Sequence, residues 1–188
     1  MTHMTKAGVQ LELASIDVHT MQMLIDSGVI SDRVELLDGV IVESSPSNNP
    51  HGRAMIRLAA AIDPALPPHL QGVGDPILDL APNVRLAPDI AVLPANVVSE
   101  KAEGSQIDWA IEIADASVAK DLKVKAPLYA AHGVRELWVV DLPDRLLHVH
   151  REPQPEGYAS IDARSWNEAV APLVLPDLAL TMSAVLDR

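Results

Sequence analysis

The sequence predicts an α+β fold built on a mixed sheet, and three observations carry that prediction. Apolar runs of strand length recur along the chain, as in GVIVES, DIAVL, IDWAIEI, ELWVVD and LLHVH. Three segments carry helical periodicity. The order that results is helix, hairpin, helix, strands, helix, strands, which lacks the strict alternation of a parallel α/β sheet. At 188 residues, with 48% hydrophobic and 21% charged residues, the chain is expected to form a single domain over residues 1–188 with a core of its own. Aromatics are 3% and Phe is absent, so that core must be Leu, Val, Ile and Ala.

Residues 1–14 show little pattern and read as a loose arm. Ser15 or Asp17 can cap a helix through DVHTMQMLIDSG, with Val18, Met21, Met23, Leu24 and Ile25 toward one side and Gly28 as its stop. RVELLDGVIVES holds two apolar runs joined by Asp38-Gly39, a strong hairpin signal, with Glu35 on its first arm. SPSNNP reads as a loop and PHGRAMIRLAAAI as an Ala-rich helix, and DPALPPHL is a proline-punctuated connection. Short strands are expected near Gln71–Val73 and Ile77–Leu80, and another over Asp89–Leu93. NVVSEKAEGSQ reads as a polar surface loop of low order. A strand at Ile107–Ile113 follows, then a helix from about Val118 to His132 with Gly133 as its stop. Pro127 lies inside that helix and should bend it. RELWVVDL reads as a buried strand, Pro143-Asp144 as a turn, RLLHVHRE as the hairpin partner and Gly157–Ile161 as an edge strand. The tail is expected to be extended and to end in a short helix that closes the core. No internal repeat or long linker divides the chain.

Composition excludes several function classes. The formal net charge is −12 and the pI about 4.8, which argues against tight non-specific binding to phosphate backbones. Cysteine is absent, so disulfide scaffolds, thiol catalysis and cysteine-based zinc sites are ruled out. MTHMTKAGVQ lacks the apolar centre of a signal peptide and no run reaches the length of a membrane span, so the expectation is a cytoplasmic protein with no membrane partner.

Chemistry concentrates between Pro88 and Asp141. Asp89 opens one apolar strand and Glu112 sits inside another, where an unpaired buried carboxylate is costly. Two adjacent strands joined by the polar loop would bring both carboxylates to one sheet edge, where a hard cation such as Mg²⁺ takes oxygen ligands. The competing reading gives each a Lys or Arg partner. Asp121, Lys125 and Tyr129 follow at spacings of four and share a helix face, a pattern that also serves as a plain surface ion pair. Lys123 points elsewhere on that helix. His51 reads as a proton carrier or phosphate contact, or as a helix-start cap. His148 and His150 share a strand face, a two-ligand spacing without an evident third ligand, so exposed strand histidines are expected. Tyr129 and Trp138 read as core. Gly-rich phosphate loops, nucleophilic serine motifs and basic nucleic-acid motifs are absent from the sequence.

The Pro88-Asp89 dipeptide, Glu112 in IEI, and D-x3-K-x3-Y-x3-GV-x-E-x-W-x-x-D over 121–141 together resemble the Uma-two-type restriction endonuclease family, a branch of the PD-(D/E)XK nucleases. ELLDG at 35–39, NPH at 49–51 and VLPDLALTMSAVLD at 174–187 extend the resemblance to most of residues 15–187. It implies a restriction-endonuclease-like fold, a central mixed sheet flanked by helices. It further implies that Asp89 and Glu112 are the metal-binding carboxylates, with Mg²⁺ or Mn²⁺ as cofactor. Ala114 stands where the superfamily's lysine is expected, and Lys125 matches the lysine this branch supplies from the next helix. Glu35 matches an early glutamate that is either a further metal-side ligand or a structural partner; a solvent-facing hairpin residue is the competing reading. Asp115 replaces the first serine of a Ser-Pro-Ser-Thr-like run. The implied activity is metal-dependent hydrolysis of DNA phosphodiesters, with Arg53, Arg57, Lys120 and Lys123 as candidate phosphate contacts and a homodimer plausible because two strands need two sites. The alternatives are a decayed nuclease fold acting as a dimeric interaction module, and a nuclease acting on RNA.

Overall fold

The computed structural model describes residues 15–44 and 49–187, together with the backbone of two short strands, His3–Lys6 (β1) and Val9–Glu12 (β2). Those two pair antiparallel, with Lys6 against Val9, where the sequence reading expects an irregular arm. The alternation in VQLE is the overlooked signal. The central element is a six-stranded sheet in the order Gly157–Ser165 (β12), Leu146–Gln154 (β11), Glu136–Asp141 (β10), Trp109–Ala114 (β9), Ile90–Pro94 (β8), Leu70–Gly74 (β5). Only β9 and β10 run parallel, and the other neighbours are antiparallel, so the sheet is mixed as predicted. The parallel step is the one that needs a crossover, and the helical segment from Val118 to Ala131 supplies it.

A second, four-stranded antiparallel sheet was not foreseen as a separate layer. It holds Val40–Glu43 (β4), Val34–Leu37 (β3), Val84–Leu86 (β7) and Leu78–Ala81 (β6), in that order. Strand β7 was missed because its three residues sit between Asn83 and Pro88 in a stretch that reads as connection. Asp38 and Gly39 both take positive φ, 53° and 82°, in the β3–β4 turn, which is the twist-compatible hairpin geometry that Asp-Gly favours.

The first helix, Val18–Asp26 (α1), is capped by Asp17, whose carboxylate accepts from Thr20 N at 2.7 Å, and Gly28 follows its end with φ 71°. Met23 departs from the predicted face and is exposed, while Met21 is buried. The second helix, Asn49–Ile62 (α2), begins inside the predicted SPSNNP loop, whose residues 45–48 lie outside the described residues. A 3-10 turn, Asp63–Ala65, ends it. The polar loop after β8 is more ordered than expected. It carries two 3-10 turns, Ser99–Lys101 and Gly104–Gln106, and buries Ala102 and Gly104.

The lysine helix answers Pro127 with a change of winding. Val118–Lys120 (α3) passes into a π turn, Asp121–Lys125, before Ala126–Ala131 (α4), and the N–H of Ala126 donates to Asp121 O. Proline supplies no N–H, so widening the ladder just before it places Pro127 in the first turn of the next segment, where that donor is not needed. Gly133, at φ 83°, ends the helix as predicted. The tail pairs Ala169–Val170 (β13) with Leu180–Thr181 (β14) and closes with Met182–Leu186 (α5).

Strand alternation sorts side chains onto the two faces of the central sheet. Trp109, Ile111, Ile113, Trp138 and Val140 pack against α2 and the C-terminal tail. Ala110, Ala114, Leu137 and Val139 pack against α4 and the second sheet. Glu112 falls between Ala110 and Ala114 and therefore points into the second layer.

The predicted exposure of the strand histidines is corrected. His150 is 3% exposed with both ring nitrogens unpartnered among the described residues, its ring edge-on to Tyr158 at 5.6 Å. His148 is half-buried, with Nε2 3.5 Å from Asp141 Oδ2. Strand β12 and α4 cover this face, which strand periodicity alone does not reveal. Burial, aided by the neighbouring His148, pushes His150 down to about 4. A histidine kept neutral in the fold but free to protonate when unfolded contributes stability that is complete above the unfolded value near 6.5 and is lost as pH falls toward 4. His150→Phe should therefore remove an acid-side destabilisation of up to roughly 3 kcal/mol. Urea unfolding at pH 7 and near pH 4 measures it. An unchanged pH profile would show that His150 is not the linked group.

Candidate active site

Strands β8 and β9 place the two carboxylates. They pair antiparallel with Ile90 opposite Ile111, and one further step along that register sets Asp89 against Glu112. The N–H of Ile113 donates to Asp89 Oδ2 at 2.5 Å, fixing the carboxylate across the strand gap. The other oxygen, Oδ1, lies 2.8 Å from His51 Nε2 in the first turn of α2. Hydrogen bonding to Asp89 raises the His51 pKa, against the opposing effect of burial. Asp75 completes this corner. It holds φ 47°, its N–H donates to Asp89 O at 2.9 Å, and burial with the Asp89 charge raises its pKa. Nothing in the local sequence marks Asp75.

Behind Asp89 the helical segment delivers a buried ion cluster. Lys125 Nζ sits 2.6 Å from Glu112 Oε1 and 2.7 Å from Glu35 Oε1. Tyr129 OH donates to Glu112 Oε1 at 2.6 Å, one helical turn further on. Glu35 also accepts from Ala87 N at 3.1 Å, and its Oε2 lies 3.3 Å from Lys120 Nζ. All four of Glu35, Glu112, Lys125 and Tyr129 are buried, with Lys125 3% exposed. Glu35 is thus no solvent-facing hairpin residue.

Electrostatics in the cluster are those of one ammonium held between carboxylates. Burial opposes the Lys125 charge, yet Glu112, Glu35 and Asp121 outweigh it and raise its pKa above the ordinary lysine value. Burial alone would push Glu35 up, but the charge and hydrogen bond of Lys125 win and hold it below its usual range. Glu112 goes the other way. Burial drives it well up, and Asp121, Glu35 and Asp89 add to that against the pull of Lys125. Asp121 is raised by burial and accepts a hydrogen bond from Ser117 Oγ.

Above the cluster opens a pocket of about 110 Å³. Glu35, Asp89, Glu112, Asp115 and Asp121 line it against Lys120, Lys125 and His51. Asp115, the residue that replaces a serine, lines it too, together with Ser44 and Ser117, which the sequence does not mark. Arg53 and Arg57 lie instead in a separate groove, and Lys123 is exposed on the π turn and lines neither. Five acidic side chains against two lysines and His51 give the pocket an excess of acidic groups. Its donors are hard carboxylate oxygens, the class that Mg²⁺ and Mn²⁺ select. Among the described residues no three His, Asp or Glu side chains converge as a complete metal cage. A two-carboxylate site that leaves the remaining positions to water fits the habit of Mg²⁺.

Comparison with known proteins bears on the fold and the family. The structure resembles the 1.96 Å crystal structure of a "putative nuclease belonging to DUF820" from Anabaena variabilis ATCC 29413. The TM-score is 0.67 at 19% identity, over 82% of this chain and 89% of the other, a likeness of fold. No curated protein matches the chain significantly. Among the described residues no helix is long and apolar enough to cross a membrane. The family model described as "Putative restriction endonuclease" matches residues 30–183, spanning β3, both carboxylate strands, the lysine helix and the C-terminal tail. The chain belongs to this family, Uma2.

Proposed function

We propose that the protein is a metal-dependent endonuclease that hydrolyses phosphodiester bonds of DNA at the pocket between Asp89, Glu112 and Lys125. The observation that carries the reading is the Asp89 carboxylate held by the Ile113 N–H, one residue on from Glu112, with a buried ammonium 2.6 Å from Glu112. Asp89 and Glu112 would hold Mg²⁺ or Mn²⁺, which supplies a Lewis acid for the phosphoryl oxygen and a bound water of lowered pKa. The chain's own residues do the rest. Lys125 keeps its proton in the presence of Glu35 and Glu112, so it serves as a fixed positive charge that orients water and stabilises negative charge developing on the phosphoryl oxygens, rather than as a base. Tyr129 and Glu35 are positioning residues that hold Glu112 and Lys125 in place. His51, raised by Asp89, stands at the mouth as a proton donor to phosphate oxygens or to the leaving group.

The test is cleavage of supercoiled plasmid by the full chain in Mg²⁺ or Mn²⁺, with a chelator as control and single-stranded DNA and RNA as competing substrates. Metal-dependent nicking is the expected result. Cleavage confined to RNA would correct the substrate. Absence of cleavage of every nucleic acid in either metal would favour an interaction module that keeps the fold without the activity.

A further inference from the structure

A second pocket opens at the same end of the central sheet, and its charge is opposite in sign. Leu142, which lines it, donates its N–H at 2.9 Å to the carbonyl of Ala114, the residue preceding Asp115 of the carboxylate pocket. The two pockets also flank the first turns of α2. His51 reaches Asp89 on one side, while Arg53 and Arg57, one turn apart, face the other. Arg145, in the turn between β10 and β11, completes the second pocket, a groove of about 380 Å³.

We propose that Arg53, Arg57 and Arg145 form a cationic track that holds the phosphodiester backbone of duplex DNA beside the scissile phosphate; this rests on the nuclease reading above. Three guanidinium groups line the groove against one carboxylate, Asp187, in a chain that has 26 acidic and 14 basic residues. That concentration matters because the carboxylate pocket, with five acids to two lysines, repels a polyanion. Substrate must be gripped next to it rather than in it. The guanidinium groups are oriented in advance. Asp187 takes Arg145 through both oxygens, the Arg145 guanidinium lies 5.0 Å from the Trp166 ring centre, and Trp166 Nε1 donates to Asp187. Arg57 donates to the carbonyl of Leu186. Arg53 is exposed, with no carboxylate at ion-pair distance among the described residues. A guanidinium has five N–H donors, so the two that Arg145 commits to Asp187 leave others for phosphate oxygens.

The same contacts also tie α5 to α2 and to the β10–β11 turn, so the experiment must separate grip on DNA from folding. It measures binding of the full chain to a short fluorescent duplex by anisotropy, in Ca²⁺, across a series of salt concentrations. Each phosphate contact adds about 0.9 to the slope of log affinity against log salt. Arg53→Gln should lower that slope by about 1, and Arg53→Gln with Arg145→Gln by about 2, with thermal unfolding confirming that both variants fold. Lys101→Gln, exposed on the β8–β9 loop and lining neither pocket, should change nothing. A folded double variant with the native slope overturns the track and leaves the nuclease reading standing. Failure of the native chain to bind any duplex, or binding of RNA alone, overturns both the track and the choice of DNA.

Discussion

Lys125→Met should abolish cleavage and cost about 3–5 kcal/mol of stability at neutral pH, because it removes the buried ammonium that Glu112 and Glu35 share and leaves Glu35 only the more exposed Lys120. Glu35 and Glu112 both lie within 2.7 Å of Nζ and both are buried. Without the lysine, each has to bury a charge or take up a proton. The sign of the pH dependence follows. Carboxyl groups whose folded-state pKa rises above the unfolded value destabilise the fold as pH rises through the unfolded value, and the loss is complete above the folded one. The deficit of the variant should therefore shrink as pH falls into the carboxylate range, whereas in the native cluster the contribution of Glu35, held low by Lys125, is lost on the acid side while the raised Glu112 and Asp121 act in the opposite direction. Urea unfolding of both proteins between pH 4 and pH 8 reads this difference. Adding Glu35→Gln to Lys125→Met removes one stranded carboxylate and should recover part of the stability but none of the cleavage, which separates the structural role of the ammonium from the catalytic one proposed for it. A Lys125→Met protein as stable as the native chain would refute the buried cluster. Retained cleavage in a folded variant would remove Lys125 from the mechanism.

How far the site was legible in the sequence depends on which physical constraint each residue obeys. Asp89 and Glu112 were visible because a carboxylate in a strand such as WAIEIA contradicts its neighbours, and the antiparallel β8–β9 pair is a short-range consequence of one loop. The Lys125–Tyr129 spacing survived even though the helix between them and Asp121 is wound as a π turn. Glu35 was only half legible. Hairpin alternation says that it faces one side of β3, but whether that side is water or protein is decided by the second sheet and by the lysine helix, both remote in sequence. The same limit explains His148 and His150, whose shared face was clear and whose cover of β12 and α4 was not. Asp75 had no signal at all. Its place beside Asp89 comes from the turn between β5 and β6 folding against the start of β8, and from a left-handed backbone that the side chain type does not demand.

The second large effect is expected at the carboxylates. Glu112→Gln should fold, because a glutamine oxygen still accepts from Tyr129 and Lys125, and it should lose cleavage by at least about two orders of magnitude, the scale of removing one preorganised electrostatic group from an active site. Asp89→Asn should do the same. Its oxygen keeps the Ile113 N–H, while the new amide donor faces His51 in place of an acceptor. Single-turnover cleavage measures the rate and calorimetric titration with Mn²⁺ measures the ligand loss, each without the other's assumptions. If the metal is held between β8 and β9, saturable binding disappears in both variants, because neither neutral amide replaces a carboxylate toward a hard cation. Binding that survives both substitutions would move the cation to the other carboxylates of the pocket, Asp115 and Asp121 first, and would leave the opposed pair as a support for Lys125 and His51. Binding lost only in Asp89→Asn would mean that Glu112 is fully engaged by its ammonium. The cluster would then be a rigid wall behind a site anchored on Asp89 alone.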